Sequence, residues 1–180
     1  MLVCNILLAL SVLTNSAADE SARGTVRGYK SGTGYLLAVA TIHQRDLRGA
    51  PLLLSTKAAE NFRDMTAAAA RDGFFLGVIS AYRPHWKQRQ LKRERGTLAA
   101  KPGWSTHQQG ASIDIQRTTR TIKGKKYRTI LYWWMKRNAK NYGFYNDVEG
   151  EPWHWTYVEN GAPKKRARKK KVATNPDDYI

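Results

Sequence analysis

With 180 residues the chain is long enough to bury one core without covalent staples, and too short for two full domains. Its single cysteine, Cys4, excludes a disulfide framework and any zinc site built on thiolates. The formal net charge is +17, which points to polyanions as partners, whether nucleic acid, anionic lipid or an anionic cell wall.

Leu2 to Leu13 is an apolar run too short to span a bilayer comfortably, and Ser16-Ala17-Ala18 supplies the small residues of a cleavage site. Residues 1–18 therefore read as a signal peptide, although the stretch lacks a Lys or Arg at its start; an uncleaved anchor and a misassigned start are the alternatives. A secreted, periplasmic or wall-associated product follows, with no transmembrane domain in the mature chain. Residues 19–34 are polar and glycine-bearing, and read as an irregular leader.

The folded domain is expected over 35–160. Tyr35 to Ile42 has the β-formers of an edge strand. Ser55 to Asp72 is the clearest helix: Ser55 can cap it, Ala58, Phe62, Met65 and Ala69 recur on one face, and Gly73 can end it. Phe74 to Ser80 reads as a buried strand, Trp86 to Arg95 as a short basic helix, and Ala111 to Ile115 as another buried strand. Arg117 to Arg128 holds six basic residues and no acid around a turn at Gly124. A further helix is expected over Thr129 to Tyr142, with Ile130, Trp133, Trp134 and Tyr142 on its apolar side. Phe144 opens a strand, and Trp153 to Val158 forms the last one. Residues 161–180 cannot build a core and read as a disordered tail, in which the run Lys164 to Lys171 carries seven positive charges, leaving +10 on the rest. A small antiparallel sheet flanked by helices makes the class α+β.

The chemistry concentrates in Lys101 to Asp114 and in Glu151-Pro152-Trp153-His154. A lone histidine in an apolar segment is by default a hydrogen-bonded core residue. Together, though, His107, Asp114 and His154 form a nitrogen and oxygen ligand set that suits zinc and leaves a fourth position for water. Gly110 allows a tight bend between His107 and Asp114. Pro152 argues against an unbroken strand from Glu151 to His154, so Glu151 can end a loop, His154 can open the strand, and both can face one cavity. Arg83 follows a buried strand and precedes Pro84. Its planar fork suits a substrate carboxylate or a developing oxyanion, although pairing with a surface acid is the commoner fate of an arginine. His43 and His85 lack such company and read as loop or surface residues.

Four blocks in order carry a resemblance to a known family: Ser80-Ala81-Tyr82-Arg83-Pro84 with Gln88; Ser105-x-His107-x-x-Gly110-x-x-x-Asp114; Trp134 to Phe144; and Glu151-x-x-His154. Over roughly residues 50 to 160 the chain resembles the zinc D-alanyl-D-alanine carboxypeptidases of the vancomycin-resistance type and the related endolysin peptidases. The shared fold is also seen in lysostaphin-type and hedgehog-type domains. The resemblance implies one zinc ion held by His107, Asp114 and His154, with Glu151 as general base toward a water made acidic by the metal. It implies substrate or transition-state binding by Arg83, and it places Ser105 and Gln88 near the substrate, where turn capping and helix-surface hydrogen bonding are the bland readings. Ala81 stands where the family has glycine, a mild departure.

The implied activity is hydrolysis of peptidoglycan stem peptides, with removal of a terminal D-alanine favoured over cleavage within the stem or cross-link. A reading of another class is a polyanion-binding basic protein acting through the Lys164 to Lys171 run. No aromatic platform or base-reading motif accompanies that run, so no specific nucleic acid is expected, and an anionic cell wall is the favoured polyanion.

Overall fold

The structure is a computed structural model and describes residues 23–161. The expected signal peptide, with Cys4, and the basic run Lys164 to Lys171 lie outside the described residues. In chain order the chain forms β1 (Arg23–Lys30), β2 (Thr33–Arg45), β3 (Pro51–Ser55), α1 (Thr56–Arg71), β4 (Val78–Ser80), α2 (His85–Arg95), β5 (Ser112–Ile115), β6 (Thr119–Ile122), β7 (Lys125–Arg128), α3 (Ile130–Asn138), β8 (Phe144–Tyr145) and β9 (His154–Tyr157). All strand pairs are antiparallel: one sheet runs β1-β2-β3, a second runs β4-β5-β9-β8, and β6-β7 is a separate ribbon.

Residues 23–34, expected as an irregular leader, instead form β1 and the start of β2. As a result β2 is the middle strand of its sheet and not an edge. Burial explains its apolar character. Ala40 and Ile42 join the main core, and Leu37 and Val39 are buried as well. The expected strand from Phe74 shrinks to Val78–Ser80.

Helix α1 lays Ala58, Ala59, Phe62, Met65 and Ala69 on the core at helical spacing, and Phe62 meets Phe144 edge-on at 6.0 Å. The Ser55 side chain makes no capping bond. Its backbone N–H instead donates to the Gly110 carbonyl at 2.9 Å, tying β3 to the loop below the site. The last helix buries Trp134 as expected, with Tyr142 packed against the core just beyond it, but the rest of its face differs. Leu131, Tyr132, Trp134 and Met135 are its buried residues, whereas Ile130 and Trp133 are exposed. Thr129 caps it by accepting from the Tyr132 N–H, and Trp134 Nε1 donates to Asp72 at 2.7 Å, which fixes the helix against the end of α1.

Candidate active site

Asp114 on β5 and His154 on β9 are direct partners across an antiparallel ladder, so both side chains leave the same face of the sheet. Trp155, one residue on, points the other way into the core. His107 sits in a 3-10 turn, Thr106–Gln109, which Gly110 ends in the left-handed region at φ 62°. A Cβ at Gly110 would come within 2.7 Å of the Ser55 nitrogen, so glycine is needed for close approach as well as for φ.

The three side chains converge. His107 Nε2 lies 3.2 Å from His154 Nδ1 and 3.4 Å from Asp114 Oδ1, and His154 Nδ1 lies 3.1 Å from that same oxygen. A tetrahedral zinc with arms of about 2.0–2.2 Å sets its ligand atoms about 3.3–3.5 Å apart, so the triangle is close to one face of such a site.

The far side of each ring decides what the near side offers. His107 Nδ1 lies 2.8 Å from the Ala81 carbonyl, which can only accept, so the proton of the neutral ring is on Nδ1 and Nε2 presents a lone pair. The Thr156 hydroxyl donates to Asp147 Oδ1 at 2.8 Å, so its oxygen accepts from His154 Nε2 at 3.1 Å and leaves Nδ1 as the lone-pair nitrogen. Two nitrogen lone pairs and a carboxylate oxygen thus face one another with no proton between them. A cation satisfies all three, and these residues fit a zinc ion on that ground. Burial lowers the His107 pKa and favours this neutral ring. At Asp114 burial acts the other way, toward the neutral acid. As pH falls and the metal-free rings take up protons, their charge and the hydrogen bonds they then donate outweigh it and hold the carboxyl below the ordinary carboxylate range.

Arg83 approaches from the end of β4. Its Nη1 donates to Gln88 Oε1 and its Nη2 to Ser80 Oγ, both at 2.9 Å, and Nη2 is 3.6 Å from Asp114 Oδ2. Burial lowers its pKa, opposed by Asp114, and the guanidinium stays charged. Gln88 is buried and its amide is used twice, accepting from Arg83 and donating to the Ala100 carbonyl at 2.9 Å. It therefore orients the arginine. Ser105 is buried at the start of the His107 turn, where its carbonyl accepts from the Gln108 N–H.

All seven predicted site residues line one cavity of about 470 Å³, in the size range of ligand pockets. Its outer wall adds Leu91, Arg95, Lys101, Trp104 and Trp153. Glu151 reaches it from a loop that Asn146 clamps, donating from one amide nitrogen to the Glu151 and His154 carbonyls at 2.7 and 2.8 Å. His43 and His85 are not among the lining residues. Sequence reasoning missed Asn146, Asp147 and Thr156. For Thr156 a signal existed, since period two along β9 puts it on the face of His154.

Residues 51–160 match the family model of VanY, described as D-alanyl-D-alanine carboxypeptidase. The chain belongs to this family. Among relatives, it is 32% identical over 129 residues to the putative carboxypeptidase YodJ of Bacillus subtilis 168, covering 60% of this chain and 47% of the relative. To a D-alanyl-D-alanine carboxypeptidase of Enterococcus faecalis V583 it is 29% identical over 124 residues, covering 53% and 45%. The chain thus spans about half the length of these curated relatives. Two VanY crystal structures share the fold, each at 24% identity. VanYB in complex with D-alanine-D-alanine has a TM-score of 0.52, covering 69% of this chain and 78% of its own. A variant of the vancomycin-resistance D,D-pentapeptidase VanY in complex with Zn(II) has a TM-score of 0.50, covering 64% and 77%. The family match begins at β3, so the β1-β2 hairpin precedes it.

Proposed function

We propose that the protein is a zinc-dependent D-alanyl-D-alanine carboxypeptidase acting on peptidoglycan stem peptides. The observation that carries this is the proton-free triangle of His107, Asp114 and His154 in the same cavity as Glu151 and Arg83. The family match supports it, as do the Zn(II) and D-alanine-D-alanine complexes of the two fold neighbours.

In this reading His107 Nε2, Asp114 Oδ1 and His154 Nδ1 would hold one zinc, which would supply Lewis acidity toward a carbonyl oxygen and toward water. Arg83 binds the free carboxylate of the terminal D-alanine. Two of its N–H groups are fixed on Gln88 and Ser80, so the others are aimed with little loss of side-chain freedom. The Glu151 carboxylate takes a proton from the attacking water as the new C–O bond forms. It returns that proton to the amine nitrogen as the C–N bond breaks. Ser105 lies where it can meet the substrate backbone, and Trp104 and Trp153 screen the site from water.

A substrate of this kind lies outside the cytoplasmic membrane, so we place the protein's work in the periplasm or the cell wall. There the Lys164 to Lys171 run holds it to anionic polymer. Among the described residues no helix is long and apolar enough to cross a membrane. The test is incubation of the zinc-loaded chain with a pentapeptide ending in D-alanyl-D-alanine and with cross-linked sacculi. Release of D-alanine from the pentapeptide with sacculi unchanged is expected. Cleavage of cross-links without D-alanine release would replace this reading with an endopeptidase.

A further inference from the structure

The β6-β7 ribbon is a basic feature that the proposed reaction does not use. Its turn is built from Lys123 and Gly124, both at positive φ (47° and 74°), the pattern of a tight two-residue hairpin. Every residue of 120–128 is exposed. Six cations fall between 117 and 128 with no acid among them, and among the described residues none of the six is paired with a carboxylate.

The register gives the ribbon a definite face. Thr119 opposes Arg128 and Thr121 opposes Lys126, so Lys126 and Arg128 project from one side. Arg128 is held there by its guanidinium lying 4.6 Å over the Tyr132 ring. That side bounds a second cavity of about 340 Å³, whose opposite wall is Gly150, Pro152 and Trp153. Those residues flank Glu151 in the loop that also closes the catalytic cavity, and Trp153 belongs to the walls of both. The two cavities therefore adjoin at Trp153.

We propose that the second cavity is an accessory subsite for a carboxylate-bearing peptide segment, the part of the substrate upstream of the scissile bond. This rests on the carboxypeptidase reading, in which the chain terminus lies at Arg83 and the remainder of the peptide must leave the catalytic cavity. The peptide crosses the face of Trp153 and sets its carboxylates against Lys126 and Arg128. An exposed cation row that meets no acid of its own is matched by an anionic strand, and the shared aromatic wall makes the two cavities one track. A free anionic polymer would need no such junction.

The test uses two peptides ending in D-alanyl-D-alanine that differ only upstream, one with two free carboxylates and one with the corresponding amides. The zinc-loaded full chain is expected to favour the acidic peptide in kcat/KM by about tenfold at low salt, a preference that added salt erodes. Lys126→Glu should abolish that preference, and Lys126→Ala should reduce it. Lys136→Glu, on exposed α3, should leave it intact. Binding of both peptides to the Glu151→Ala chain, read by calorimetry, needs no turnover. If neither peptide is hydrolysed yet a Lys126-dependent binding preference remains, the carboxypeptidase reading fails and the subsite stands. An equal kcat/KM for both peptides in the native chain, or a preference that survives Lys126→Glu, overturns the subsite. So does a Lys126→Glu chain that loses adhesion to an anionic wall polymer while keeping its peptide preference, because the ribbon is then a polymer dock.

Discussion

The two sheets divide the work. The four-stranded sheet supplies Asp114 and His154 at one rung of its ladder, along with the Thr156 hydroxyl behind His154. The three-stranded sheet supplies none of the predicted site residues. It braces the segments that carry them, through three backbone bonds above all: Ser55 N–H to the Gly110 carbonyl, Gly32 N–H in the β1-β2 turn to the Gly103 carbonyl at 3.0 Å, and Tyr82 N–H to the Leu53 carbonyl at 2.8 Å. The first two contacts grip the ends of the segment that carries His107, and the third fixes the residue before Arg83. One sheet places donors directly; the other holds two loops still so that His107 and Arg83 meet them.

Substitutions among the chemical groups on this sheet and the loop that leads into β9 should have the largest effects. Glu151→Ala is expected to keep zinc and to lower kcat by about 10²–10⁴-fold, the usual contribution of a general base. His154→Ala is expected to lose both metal and hydrolysis. Metal analysis beside D-alanine release separates the two, and a Glu151 variant with undiminished turnover contradicts the assigned role.

Behind the donors, Thr156→Val takes from His154 Nε2 its hydroxyl acceptor and removes a donor from buried Asp147. Zinc affinity measured by chelator competition should fall about 10- to 100-fold and recover in Thr156→Ser. Equal affinity in all three chains would mean that the ring is oriented by something else. At the junction of the sheets, Gly110→Ala combines a left-handed backbone with a Cβ 2.7 Å from the Ser55 nitrogen. It should cost about 2 kcal/mol or more in a denaturant melt, and loosen zinc binding by displacing His107. A melt unchanged from the parent chain would show that the three-stranded sheet does not hold the turn.

The smallest effect concerns pH. Because burial puts the folded pKa of His107 below its ordinary 6.5, the unfolded chain takes up a proton there first as pH falls. Stability from this group is complete above 6.5 and declines below it. Asp114 acts in the same direction, but only beneath its ordinary 3.8. The metal-free denaturation midpoint should therefore drop between about pH 7.5 and about pH 5, with His107 and not Asp114 responsible. A midpoint that does not fall over that interval removes buried, neutral His107 from the account.

Much of the site was legible because its donors lie in short motifs whose residue types already carry the chemistry. Gly110 announced the bend, and Pro152 announced the break that lets Glu151 and His154 face one cavity. What sits behind the donors was not legible. Asp147 is linked to His154 through Thr156 and lies 3.8 Å from its Nε2, an arrangement made by the pairing of strands and the course of a loop. Strand β1 was hidden for a different reason. In Arg23 to Lys30 only Gly28 is buried, so no alternation of apolar and polar residues marks it. Trp134 is buried as expected, but Ile130 and Trp133 misled because the helix turns Leu131, Tyr132 and Met135 inward beside it, and an apolar side chain at the surface is common.

The central claim is that three lone-pair donors wait on one cation, and zinc titration of the folded, chelator-stripped chain tests it most directly. The account predicts one equivalent of zinc bound per chain, with D-alanine release rising in step and both absent in His154→Ala. Folded protein that takes up no zinc, or that releases D-alanine equally well without it, would contradict it.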